Sequence, residues 1–140
     1  MMISIVITNY NKSKFIKQNL NSLLDQTCKN FELIFFDDNS SDNSISIINQ
    51  YKTKFKRIKI IRNLKKKNNI NNYNQLNGIE IILKYASGNF LSFLDSDDYF
   101  SRNKIEEIEK IIKKKKIKLI LNSYYNLYGK KKIENNRHYK

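Results

Sequence analysis

The chain has 140 residues, 40% of them apolar, a single cysteine, and 27 Lys and Arg against 13 Asp and Glu, for a formal net charge of +14. That length suits one ordinary domain with a real core, the lone Cys28 excludes an internal disulfide framework and fits a reducing compartment, and no apolar run approaches the ~20 residues of a membrane-spanning helix. The charge points to nucleic acid or an anionic membrane surface as partners, yet the lysines are scattered, with small clusters only at 65–67, 113–116 and 130–132. Proline is absent and Asn, Ile, Lys and Tyr are all frequent, the joint bias of an AT-rich genome more than of a ligand surface.

The N-terminus, Ile3 to Thr8, carries no basic flank and reads as a buried strand, not a signal peptide. A helix follows, with Phe15, Ile16, Leu20, Leu23 and Leu24 on one face, and Cys28 near its end. Phe31 to Phe36 is a second strand. It ends in Asp37-Asp38-Asn39-Ser40-Ser41-Asp42, a turn and cap cluster in which Asp42 is the residue best placed to cap the next helix. That helix carries Ile45, Ile48, Tyr51 and Phe55. Arg57 to Ile61 is a short strand, and Lys65 to Asn74 a polar loop. Helical spacing returns from Tyr73 to Ala86, and Gly88 breaks the chain before Phe90-Leu91-Ser92-Phe93-Leu94, a strand that runs into Asp95-Ser96-Asp97-Asp98. Asn103 with Glu106 resembles a capping box opening a helix with Ile105, Ile108, Ile111 and Ile112. Lys118 to Ser123 reads as a further strand and Lys130 to Lys140 as a frayed polar tail, so that residues 1–128 form the domain and 129–140 the tail.

Strands alternating with helices imply βαβ units and a mainly parallel sheet, whose carboxyl ends share one edge. That edge gathers Thr8, Asn9, Tyr10 and Asn11, then Asp37 and Asp38, then the acids from Asp95 to Asp98. An aromatic ring, amides and two acidic sets are materials for a nucleotide site. Tyr10 can stack on a base, Asp38 can accept from a base N–H, Asp95 can take ribose hydroxyls, and Asp97 can hold a cation on a diphosphate. The plainer alternative is that the acidic runs are solvated turns that cap helices.

These segments carry a resemblance. Ile3 to Asn11, Ser22-Leu23-Leu24-Asp25-Gln26-Thr27 followed by Asn30-Phe31-Glu32-Leu33-Ile34, the acidic turn 37–42, and Leu94-Asp95-Ser96-Asp97-Asp98-Tyr99 together resemble family 2 glycosyltransferases. The resemblance spans about residues 3–123. It implies a three-layer GT-A, Rossmann-like α/β fold and a nucleotide-diphosphate-sugar donor. It also implies a nucleotide-sugar site drawn from Thr8, Asn9, Tyr10, Asp38 and Asp95, with Asp97, in that family's DXD motif, holding Mg2+ or Mn2+. The chemistry implied is inverting sugar transfer to a hydroxyl of a glycan or lipid-linked acceptor in polysaccharide assembly, in the cytoplasm or at the inner face of the membrane, where the basic surface would aid peripheral attachment. Two departures stand out. The segment before the fourth strand, Asn72-Tyr73-Asn74-Gln75-Leu76-Asn77-Gly78-Ile79, lacks the family's arginine. The family also continues well past the DXD strand, so the chain reads as a donor-binding portion truncated at its C-terminus; Glu134 is the sole acid after Glu109, His138 lies in the tail, and no general base is assigned. The alternatives are a catalytically incomplete nucleotide-binding remnant and, from another class, a basic nucleic-acid-binding domain, for which no recognition motif is present. None of these motifs encodes the donor's sugar or base, the acceptor, or the oligomeric state.

Overall fold

The computed structural model describes residues 1–64, 71–114, 124–128 and 131–135. The chain divides into two compact units, Met1–Ile108 and Glu109–Lys140; the division expected at residue 128 falls inside the second.

The first unit holds strands β1 (Ile3–Asn9), β2 (Phe31–Asp37), β3 (Ile58–Arg62) and β4 (Phe90–Asp95). Helix α1 (Ser13–Leu24) joins β1 to β2, α2 (Ser44–Tyr51) joins β2 to β3, and α3 (Asn71–Tyr85) lies between β3 and β4. The strands form one parallel sheet in the order β3-β2-β1-β4. The order reverses at β1: β2 and β3 lie to one side of it and β4 to the other. Right-handed crossovers therefore put α1 and α2 on one face and α3 on the opposite face.

The two central strands, β1 and β2, are buried on both faces, as near-continuous apolar runs predict, while the edge strands β3 and β4 are only partly covered. Ile3, Ile5 and Ile7 of β1 alternate with Ser4, Val6 and Thr8. The first set, with Leu33 and Phe35, is fully buried, as are Ile16, Leu20 and Leu23 of α1 and Ile48 of α2. On the other face Val6, Ile34, Phe36 and Ile82 of α3 form a cluster with Ile61, Ile81 and Ala86 against it. Gly88 is required where the chain enters β4, because a Cβ there would lie 2.6 Å from the Ser4 nitrogen and 2.9 Å from the Met2 carbonyl oxygen. Buried Glu32 accepts bonds from Ser4, Ser87 and the Gly88 nitrogen and thereby ties that entry to β1 and β2.

The expected strands and helices of this unit are present, with shifted ends. The helix expected to include Phe55 stops at Tyr51 and tightens into a 3-10 turn, Lys52–Lys54, a common helix ending. The loop expected to reach Asn74 yields to α3 from Asn71. Helix α4 (Lys104–Lys114) begins as the Asn103 side chain bonds Glu107, while Glu106 accepts from Thr27.

In the second unit β5 (Tyr124–Tyr128) and β6 (Lys131–Asn135) form an antiparallel pair. This corrects the frayed tail from Lys130: β6 begins at Lys131, opposite a tyrosine-rich run of strand formers. The strand expected at 118–123 and His138 lie outside the described residues.

Candidate functional site

The carboxyl edge of the sheet brings the predicted residues into one row. Thr8 of β1 is paired with Asp95 of β4, Asn9 with Asp37 of β2, and Asp37 with Arg62 of β3. Adjacent parallel strands lie about 4.8 Å apart, so each strand end stands beside the next in the order β3-β2-β1-β4. The crevice between β1 and β4, where the strand order switches, is where open α/β sheets bind ligands.

The two loops on the β1–β2 side are bonded to each other. Asn9 is buried, and its amide nitrogen donates to Asp37 Oδ1 at 2.8 Å and Ser40 Oγ at 3.0 Å. Its side chain thus braces the loops from inside, while exposed Thr8 and Tyr10 flank it. Asn11, in the left-handed region at φ 51°, donates its N–H to Ser40 Oγ and accepts from the Ser41 N–H. Asn39, at φ 59°, allows the acidic turn to double back so that the Ser40 N–H reaches Asp37 Oδ2. Asp42 is the cap the sequence indicates, and it serves two helices. Its carboxylate accepts from the N–H of Ser13 at the start of α1 and of Ser44 at the start of α2, as well as from the Ser44 hydroxyl. Burial alone would raise its pKa, but these bonds prevail and bring it down to about 2.

Asp38 is half-buried just past the end of β2. Its N–H donates to the Asn9 carbonyl, and Oδ1 accepts from the Asn63 amide at 2.8 Å. Asn63 follows β3 and is fixed in turn by its own N–H on the Asp37 carbonyl. Sequence reading missed Asn63, because no local pattern distinguishes an asparagine after a strand.

On the β4 side, Asp95 to Asp98 form a tight turn closed by the Asp98 N–H on the Asp95 carbonyl at 3.0 Å. Asp95, Asp97 and Asp98 are exposed while Ser96 between them is buried. Partial burial, then the negative charges of Asp95 and Asp97, push the Asp98 carboxyl upward. The Lys12 ammonium, 2.7 Å from Asp97 Oδ2, holds Asp97 below the usual carboxylate range against its own desolvation. The turn is held from below by α1. Asn19, 1% exposed, donates both amide hydrogens, to the carbonyls of Asp95 (2.9 Å) and Asp98 (2.8 Å). One turn on, Ser22 accepts from the Phe100 N–H. Gln26 donates to the Ser101 carbonyl and accepts from the Ile105 N–H. This polar rail also escaped the sequence reading. Its signal was a set of uncharged polar residues at 19, 22 and 26, of which Asn19 sits within the helix's buried stripe and Gln26 is buried just past its end.

Among the described residues no three His, Cys, Asp or Glu side chains converge on one metal position. The donor set is nonetheless of the right kind for Mg2+ or Mn2+, which are held by one or two carboxylates while substrate phosphates and water complete the shell. Asp97, on an exposed turn with Asp95 beside it, supplies that minimum. A separate concavity of about 900 Å3, lined among others by Asn21, Gln26, Lys29, Tyr99, Phe100 and Arg102, includes none of the predicted site residues. The sheet edge, where the separate elements converge, is therefore the candidate site.

Comparison with known proteins agrees with this geometry. The model for glycosyl transferase family 2 matches residues 4–139. WfgD of Escherichia coli, a UDP-Glc:alpha-D-GlcNAc-diphosphoundecaprenol beta-1,3-glucosyltransferase, is 35% identical over 136 residues, which are 96% of this chain and 47% of that protein. A poly(ribitol-phosphate) beta-glucosyltransferase of Bacillus spizizenii is 38% identical over 101 residues, 71% of this chain and 15% of that one. The crystal structure of S. aureus TarS 1-349 superposes with a TM-score of 0.72 at 28% identity, covering 81% of this chain and 33% of TarS; TarS has also been solved in complex with UDP-GlcNAc. The chain thus spans less than half the length of these relatives. The match over nearly the whole sequence, the parallel sheet with its order switch at β1, and the loops at its carboxyl edge lead to one assignment: the chain belongs to glycosyl transferase family 2.

Proposed function

We propose that this chain forms the donor-binding part of a metal-dependent, inverting glycosyltransferase that takes a UDP-sugar and acts in glycan or polysaccharide assembly. The observation that carries the reading is the meeting of Tyr10, Asp38 and the Asp95–Asp97 turn at one end of the parallel sheet. Exposed Tyr10 offers its ring to the base. Asp38, steadied by Asn63, accepts from a base N–H. Asp95, beside Thr8 in the register, takes ribose hydroxyls, and Asp97 holds Mg2+ or Mn2+. The names of WfgD and of the TarS complex favour uridine in the donor and, for WfgD, a lipid-linked acceptor. Such an acceptor is met at a membrane surface, to which a chain of net charge +14 is drawn when that surface is anionic. No described helix is long and apolar enough to cross a membrane.

In the reaction the acceptor oxygen forms a bond to the anomeric carbon while the bond from that carbon to the donor's phosphate oxygen breaks, and the nucleoside diphosphate leaves with the electron pair. The hydroxyl proton passes to a base supplied from outside the residues named here. A divalent cation at Asp97 would supply neutralisation of the charge that builds on the departing diphosphate. The chain's own residues bind and orient: the braced loops fix the nucleoside end and the β4 turn fixes the phosphate end.

Calorimetric titration of UDP into the chain, with and without Mn2+, tests the reading. Metal-dependent binding that Asp97→Asn removes is the expected result. No binding by the folded chain, or binding that ignores both Mn2+ and Asp97→Asn, overturns it.

A further inference from the structure

We infer that Lys12 is the resident cation of the acidic turn: its ammonium pairs with Asp97 while no divalent ion is bound, and moves to the donor's diphosphate when one arrives. The inference rests on the donor-site reading above and adds a residue to it.

Lys12 Nζ lies 2.7 Å from Asp97 Oδ2, across 85 residues of sequence. Both side chains are about two-fifths exposed, and an exposed ion pair is ordinarily weak because two long side chains must be held in one geometry. Here the backbone of Lys12 is already held. On one side the Asn11 N–H bonds Ser40 Oγ at 2.9 Å and Asn11 Oδ1 accepts from Ser41 at 2.8 Å. On the other the Ser13 N–H bonds Asp42 Oδ2 at 2.9 Å. The turn bearing Asp97 is held just as firmly by the two bonds from Asn19. Only the side chains remain to be ordered. The ammonium also has an electrostatic reason to be there, since Asp95, Asp97 and Asp98 crowd three carboxylates into four residues.

A divalent ion on Asp97 Oδ2 would sit about 2.1 Å from that oxygen. Two cations drawn to one carboxylate repel each other, so a divalent ion held by Asp97 would compete with the ammonium for it. Displaced, the ammonium would stay tethered beside the turn, within reach of phosphates that such an ion would hold. An ammonium with three donors is a phosphate ligand. Lys12 therefore opposes the metal alone and supports the metal with its diphosphate, two effects of opposite sign from one side chain.

Lys12→Met in the full 140-residue chain tests this, because it keeps the aliphatic stem and removes the charge. Free Mn2+ counted by electron paramagnetic resonance without nucleotide is expected to show binding tightened up to about fivefold, the worth of an exposed ion pair. UDP affinity in saturating Mn2+ is expected to fall about tenfold, the worth of one charge-assisted bond, while uridine binding stays unchanged. Equal losses of Mn2+ and UDP affinity mean that Lys12 only shapes the turn, and unchanged values mean that the pair is incidental; either result overturns the inference. The wild-type chain is titrated first. If it binds no UDP, the donor-site reading fails by itself, and the Mn2+ measurement still decides whether Lys12 competes with the metal.

Discussion

Asn19 gives the sharpest test of how the acidic turn is built. Its amide nitrogen is the described link between α1 and both ends of the turn, through the carbonyls of Asp95 and Asp98. Each neutral bond contributes about 1 kcal/mol, and both carbonyls lie at a rim where water can replace part of the loss, so Asn19→Ala should destabilise the fold by about 2 kcal/mol. Asn19→Asp is nearly isosteric but has no donor. It sets an acceptor, and at neutral pH a charge, against two carbonyls at a position 1% exposed. Its cost should reach about 3 kcal/mol or more at neutral pH and shrink once the carboxyl protonates in acid. Urea denaturation followed by circular dichroism measures both, with an unchanged m-value as the check that the two states are the same. An Asn19→Ala variant within about 0.5 kcal/mol of wild type, or an Asp variant no worse than the Ala variant at pH 7, would refute the claim that these two bonds anchor the turn.

Two further outcomes follow from the entry to β4. Gly88→Ala forces a methyl to 2.6 Å from the Ser4 nitrogen, which is backbone and cannot yield, so the thermal midpoint should drop by the equivalent of about 1–3 kcal/mol; an unchanged midpoint would show that the β1–β4 approach is looser than drawn. Burial alone would raise the Glu32 pKa, but bonds from Ser4, Ser87 and Lys59 outweigh it and bring it to about 2, below its ordinary 4.5. A depressed folded-state pKa contributes stability that is present above pH 4.5 and is lost as pH falls towards 2. Glu32→Gln should therefore be less stable at pH 7 and show a flatter acid limb in denaturation against pH; parallel limbs for the two proteins would count against the buried clasp.

The parts legible in the sequence were those written locally. Apolar runs bounded by polar turns marked the four strands, and the alternation with helices fixed the parallel sheet and its common edge. Asp42 was recognisable as a cap from its place before α2, though not as the cap of α1 as well, because the Ser13 contact crosses 29 residues. Lys12 could not be read, since its partner lies 85 residues away and a lysine has no local signature for such a bond; Asn19 was legible as a buried polar residue, but not its partners 76–79 residues away. The α1 stripe was drawn through Phe15, which is exposed, while Asn19 sits inside it with Ile16, Leu20 and Leu23. A polar residue in an apolar stripe was the clue. The β5–β6 pair was hidden by composition: a lysine-rich stretch looks like a tail until a tyrosine-rich partner is seen beside it.

The shared cap at Asp42 and the Asn11 bonds to Ser40 and Ser41 have a kinetic consequence. A site whose walls must order around its ligand carries that ordering into every encounter, and its association rate slows accordingly. Here the β1 and β2 loops close on each other through their own side chains, so a nucleotide bound as proposed would meet a finished wall. Association should then run at the rate set by diffusion and by attraction between a cationic protein and an anionic nucleotide. Selectivity among nucleotides would be expressed in how long each one stays.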